Sequence, residues 1–131
     1  MAHPHHAIAR AYFAAVEGGE LPDSLLTADF AAWTTGTGPL DKAAYQNAIR
    51  LLASMCATPI QFAVDAITAE DDRVVAEARS TARLIDGSDY ANTYVFSLRI
   101  RDDRIAHIAE HMNLAIVQDR LVPLMARLQS E

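Results

Sequence analysis

The stretch Asn92-Thr-Tyr-Val-Phe-Ser-Leu-Arg-Ile-Arg-Asp-Asp-Arg-Ile-Ala-His-Ile-Ala-Glu-His-Met-Asn113 decides how this chain folds. Asn92, Tyr94, Phe96, Leu98 and Ile100 alternate with Thr93, Ser97, Arg99 and Arg101, the period-two pattern of a strand with one buried face. Asp102-Asp103 is a turn short enough for a hairpin, so the chain returns antiparallel from Arg104. On the returning strand Ala106, Ile108 and Met112 share parity with Glu110, and the face that must be buried therefore carries an acid. An ionised carboxylate out of water needs a partner or a raised pKa, and such groups persist mostly where they pair or do chemistry.

Outward from this hairpin the same period continues. Ile60, Phe62, Val64 and Ala66 form one inward set, and Val74, Ala76, Ala78, Ser80, Ala82 and Leu84 another. Turns at Glu70-Asp-Asp72 and Asp86-Gly-Ser-Asp89 join them to the quoted stretch as an antiparallel meander. The opposite face carries Glu77, Arg79, Arg83, Arg99 and Arg101 with Thr93 and Ser97, which reads as cross-strand Glu–Arg pairing on a wetter face or in a subunit contact.

Upstream the period becomes helical. Ile8, Tyr12 and Val16 line one face of a helix over residues 7–17, stopped by Gly18-Gly19. A short helical turn through Leu25-Leu26 follows, with Asp23 or Ser24 as its cap, then a short strand from Phe30 to Thr34. Thr35-Gly-Thr-Gly-Pro39 reads as a turn; it lacks the Lys-Ser/Thr ending of a phosphate loop. Asp41 can cap a second helix carrying Tyr45, Ala48, Ile49, Leu52, Met55 and Cys56 at 3–4-residue spacing. After Asn113, Leu114, Val117, Leu121, Leu124, Met125 and Leu128 recur helically around a break at Pro123, a tail that caps one end of the core or meets another subunit.

The 131 residues fit a single domain, 1–131, that buries roughly 68% of the surface of its unfolded form. With a net charge of −6 and scattered Lys and Arg, nothing forms the footprint of a nucleic-acid binder. The single cysteine, Cys56, lies on an apolar helical stripe and reads as a small buried hydrophobe. Met-Ala-His-Pro-His-His at the N-terminus has neither the basic leader nor the apolar run of a secretory signal, so a cytoplasmic location is the expectation, with His3, His5 and His6 on a solvated tail. No stretch approaches the ~20 apolar residues of a membrane span. No dinucleotide or flavin fingerprint is present, so no redox cofactor is expected. His107 and His111 have strand-ligand spacing but lack an obvious third ligand, so no metal is expected.

Helices followed by long antiparallel strands make an α+β arrangement with helices on one face of a curved sheet. Within it, residues 11–20 (Ala-Tyr-Phe-Ala-Ala-Val-Glu-Gly-Gly-Glu), 27–33 (Thr-Ala-Asp-Phe-Ala-Ala-Trp), 71–77 (Asp-Asp-Arg-Val-Val-Ala-Glu), 87–94 (Gly-Ser-Asp-Tyr-Ala-Asn-Thr-Tyr) and 101–113 together resemble the NTF2-like superfamily, in particular its SnoaL-like and ketosteroid-isomerase-related branch. The resemblance spans residues 7 to 118 and rests on order and spacing. It implies a cone-shaped barrel with an apolar pocket between helices and concave sheet, commonly in a homodimer. By that likeness Tyr12 falls where ketosteroid isomerase keeps the tyrosine that bonds the substrate oxygen. The isomerase's two acids would fall near Thr35 and Phe96, which carry no carboxyl, so steroid isomerisation is disfavoured. Limonene-epoxide hydrolases place an acid where Glu110 stands, but their second acid and arginine would fall near Ala78 and Ser80. SnoaL-like cyclases also use a carboxylate deep in the cone, and the Glu110-His111 pair resembles their final strand.

The candidate catalytic residues are accordingly Glu110 as proton carrier, Tyr12 as donor to a ligand oxygen, and His111 beside the acid, although strand adjacency sends His111 to the other face unless a bulge intervenes. Asn92 is an alternative to Tyr12 for the oxygen. Ser80, Asn92 and Tyr94 supply polar atoms to a mostly apolar cavity, and Trp33, Phe13, Met55, Phe96 and Met112 its walls. The expected ligand is a compact, largely apolar molecule with a carbonyl or hydroxyl, and the expected chemistry is proton transfer of isomerase, dehydratase or cyclase type. The rival expectation is a non-catalytic binding or association module.

Overall fold

Alternation dictates a sheet, and the computed structural model, which describes residues 3–130, contains one of six strands. The order of elements is α1 (His5–Glu17), a 3-10 turn (Asp23–Leu25), β1 (Leu26–Thr34), β2 (Gly38–Asp41), α2 (Lys42–Met55), β3 (Gln61–Glu70), β4 (Arg73–Arg83), β5 (Asp89–Arg101), β6 (Arg104–Met112), α3 (Leu114–Arg120) and α4 (Val122–Gln129). Strands lie in the order β2-β1-β6-β5-β4-β3, all antiparallel to their neighbours except β1 beside β6. The α+β cone with its N-terminal helices against a curved, mostly antiparallel sheet is the architecture the alternation and resemblance imply.

Local chemistry sets the elements. Asp41 accepts from Ala44 N at 2.8 Å and so satisfies one of the free amides that open α2. Gly19 supplies a φ of 81° just after α1. Asp102 and Asp103 both take positive φ, 53° and 61°, as a two-residue loop between the paired Arg101 and Arg104 requires. The inward faces of α1 and the sheet meet in an aromatic cluster in which Tyr12, Phe13 and Phe62 surround Phe96 at centroid distances of 5.5, 5.2 and 6.2 Å. Edge-on contacts of this kind contribute about 1 kcal/mol each beyond the area they bury.

Several expectations shift by a residue or more. The first strand begins at Leu26 rather than Phe30, and the glycine-rich turn ends at Thr37, because Gly38 and Pro39 already pair with Thr34 and Trp33. Helix α1 starts at His5, so His5 and His6 lie in its first turn rather than on a tail; Met1 and Ala2 lie outside the described residues. In β3, Val64 pairs with Ala78 but Ala66 with Glu77, so Asp65 is an extra residue. That bulge turns Ala66 outward and brings Ile67 toward the core. In β6, Arg99 pairs with His107 but Ile100 with Ile105. Ala106 is bulged, and the buried set is Ile105 and Ile108 rather than Ala106 and Ile108. On the outer face the arginines pair with aspartates, not with Glu77: Arg79 with Asp65, Arg83 with Asp89, Arg99 with Asp72 and Arg101 with Asp29. No helix among the described residues is long and apolar enough to cross a membrane.

Candidate functional site

From Ile108 onward β6 alternates regularly, which turns Glu110 and Met112 to the concave side. Glu110 lies between Phe96 of β5 and Thr34 of β1 in the sheet register. Thr35 clasps the strand around it: its amide donates to the Glu110 carbonyl at 3.1 Å, and its hydroxyl accepts from Met112 N at 3.2 Å. The acid thus stands on backbone that is bonded on both sides.

Its carboxyl meets a phenol from α2. Tyr45 donates its hydroxyl to Glu110 Oε1 at 2.8 Å, and Tyr12 from α1 lies 2.6 Å from the Tyr45 oxygen. Tyr12 and Tyr45 are each 1% exposed, so no water competes for these hydroxyls. Burial holds Glu110 up to about 7, with the Tyr45 hydrogen bond opposing that rise. Burial, and then the neighbouring Glu110 charge, pushes both phenols well above their ordinary range. Burial likewise raises Tyr90 and Tyr94. The phenols therefore remain donors at every ordinary pH, and Glu110 is the group of this cluster whose charge changes near neutrality.

The carboxyl opens into a cavity of about 300 Å³ between α2, the inner face of the sheet and the C-terminal helices. Leu52, Met55 and Ile49 of α2, Tyr90, Tyr94 and Met112 of the sheet, and Leu114, Val117, Leu121 and Met125 of α3 and α4 form most of its wall. Thr34, Thr37 and Gln118 add polar atoms, and no Lys, Arg or His lines it. A larger hollow of about 600 Å³ is an open depression on the outer sheet face beside Glu77, Val95 and His111, and Glu110 is not part of its lining.

Of the residues singled out from the sequence, Glu110, Tyr94, Met55 and Met112 meet at this cavity. Tyr12 does not reach it; its hydroxyl is used on Tyr45. His111 and Trp33 lie on the outer face, their rings 5.0 Å apart, since no bulge intervenes between Glu110 and His111 and since the buried neighbours of Trp33 are Ala32 and Thr34. Phe13 and Phe96 belong to the aromatic core behind the cavity. Ser80 is bonded to the Tyr94 hydroxyl at 2.7 Å. Asn92 is committed to structure: its amide donates to Tyr90 Oη and to the Asn113 carbonyl, and its oxygen accepts from Thr93 N and Asn113 N. Tyr45, Tyr90 and the wall supplied by α3 and α4 complete the site without a local sequence pattern that marks them for it. Tyr45 was legible as a buried position of α2, but its partner lies 65 residues away.

The SnoaL-like domain family model matches residues 9–108, which is most of the chain. The protein belongs to the SnoaL-like domain family. Among solved structures, an NTF2-like protein from Anabaena variabilis is 24% identical over 86% of this chain and 94% of that one, with a TM-score of 0.75. PrhC from Penicillium brasilianum is 18% identical over 94% and 89%, with a TM-score of 0.80. IdmH, a proposed polyketide cyclase from Streptomyces antibioticus, is 16% identical over 91% and 99%, with a TM-score of 0.77. No curated protein sequence matches.

Proposed function

We propose that this protein is an enzyme that moves a proton within a small, uncharged, largely apolar carbonyl or hydroxyl compound, as an isomerase, dehydratase or cyclase does. The observation that carries this reading is the Glu110 carboxyl: it faces an apolar cavity, receives one hydroxyl at 2.8 Å, and is held by burial at about 7. An acid whose pKa matches the working pH is both a competent base when ionised and a competent acid when protonated. A carboxylate kept only for stability would be expected to have a cation, yet none of the ion pairs among the described residues includes Glu110. The absence of Lys, Arg and His from the wall disfavours carboxylate- or phosphate-bearing ligands, and a cavity of about 300 Å³ suits a compact one. The family membership and the likeness to IdmH support cyclase-type chemistry.

In this mechanism ionised Glu110 takes a proton from the carbon next to a carbonyl, and the protonated acid returns it at another atom. Gln118, at the cavity mouth, takes over the part of steadying the ligand oxygen from Tyr12 and Asn92, whose polar atoms are used elsewhere. The reading is tested without the natural substrate. Small cyclic ketones incubated with the protein in D2O are followed by proton NMR for loss of signal at the enolisable carbons. Exchange faster than with the Glu110→Gln variant supports the proposal, and equal rates overturn it. A second reading, association between two copies, is favoured by the outer face, where Val95, 40% exposed, pairs with His111, whose ring in turn lies against Trp33. Sedimentation of wild type against Val95→Arg separates a dimer through this face from a monomer.

A further inference from the structure

Tyr12 is the one hydroxyl of the acid's hydrogen-bonded chain that touches neither the cavity nor the carboxyl. Tyr45 has a single hydroxyl proton, and when Glu110 is ionised that proton is used on Oε1. The bond of 2.6 Å between the two phenols must then be donated by Tyr12 to Tyr45. Both protons point toward the carboxylate, and the first bond polarises the second. With Glu110 protonated the same chain can run the other way, the acid donating to Tyr45 and Tyr45 to Tyr12.

The surroundings leave this chain as the chief polar influence on the acid. Tyr45 faces it from α2, with Tyr12 behind from α1, and Tyr94 and Tyr90 stand on β5. From α3 and α4 the wall contributes apolar side chains and the uncharged Gln118. His111, next in sequence, is on the opposite face against Trp33.

We propose that Tyr12 is a positioning residue of this site, acting on Glu110 only through Tyr45, so that the two phenols form a relay that stabilises the ionised acid and reverses when it takes up a proton. The inference builds on the reading of Glu110 as the proton carrier. It is read in the ligand-free protein, so the relay can fail while proton transfer stands, and the reverse.

The test is the titration of the Glu110 carboxyl carbon by NMR in protein labelled with 13C at the glutamate side-chain carboxyl, its signal assigned by loss in Glu110→Gln. Removing the direct charged hydrogen bond in Tyr45→Phe is expected to raise the titration midpoint by about 1 unit or more. Tyr12→Phe is expected to raise it by up to about 0.5 unit, the share of that bond owed to cooperativity. The decisive result is the double variant: its midpoint equals that of Tyr45→Phe alone, because Tyr12 has no route to the acid once Tyr45 lacks its oxygen. An unchanged midpoint in Tyr12→Phe overturns the relay, and so does an equal Tyr12→Phe effect with and without the Tyr45 hydroxyl. Should Tyr45→Phe not fold, 3-fluorotyrosine placed at position 12, a stronger donor of the same shape, is expected to lower the midpoint, and a rise or no change overturns the proposal.

Discussion

Replacing Glu110 with Gln keeps the shape of the side chain and an oxygen for Tyr45 but removes the titrating group, and this makes the acid's energetic role measurable. The carboxyl sits at about 7 in the folded protein against an ordinary value of 4.5. Between these values the folded state binds more protons than the unfolded state, so the slope of stability against pH is negative. The contribution is fully present below about pH 4.5, is lost as pH rises, and levels off above about pH 7. The gap corresponds to about 3 kcal/mol in all, of which about 2.5 kcal/mol falls between pH ~5 and ~8. Other carboxylates, such as Asp65 beside Arg79 and Asp29 beside Arg101, are held low by hydrogen bonds to their arginines. They act with the opposite sign and at lower pH, and equally in both proteins. Urea unfolding of wild type and variant across this range should therefore show Glu110→Gln gaining on wild type by about 2.5 kcal/mol from pH ~5 to ~8. Parallel curves, or a gain toward acid pH, would refute the claim that burial holds this acid protonated near neutrality.

Asn92→Ala should destabilise the fold by about 2 kcal/mol in the same unfolding assay, because it strands the amide and carbonyl of Asn113 and removes one of the two partners of the Tyr90 hydroxyl, which keeps Tyr94. Since Asn113 also caps α3, accepting from Ala115 N at 3.1 Å, proteolysis of the C-terminal helices should quicken in that variant. At fixed pH the emission spectrum of Trp33 should change in His111→Ala and match wild type in Glu110→Gln, because Trp33 lies against His111 on the outer face and not against the acid.

What could be read from the residues alone was whatever repeats locally. Period two in β4 and β5 placed Val74, Ala76, Ala78 and Ser80, and Asn92, Tyr94, Phe96, Leu98 and Ile100, on the buried face, and all of them lie there. Period 3.6 and a capping aspartate placed α2, and parity carried Glu110 inward from Ile108. These features depend on the covalent geometry of a few neighbouring residues. Tertiary structure alone decided the bulges at Asp65 and Ala106, because an extra residue in a strand is fixed by what the partner strand pairs with, and parity counting passes over it without a signal. It also decided that Tyr45 rather than Tyr12 meets the acid, that Trp33 turns away from the cavity, and that α3 and α4 close it. Those outcomes are set by how helices seat on a curved sheet, where contacts join residues 33 and 65 positions apart, and a stretch of sequence carries no local record of the partner it will meet.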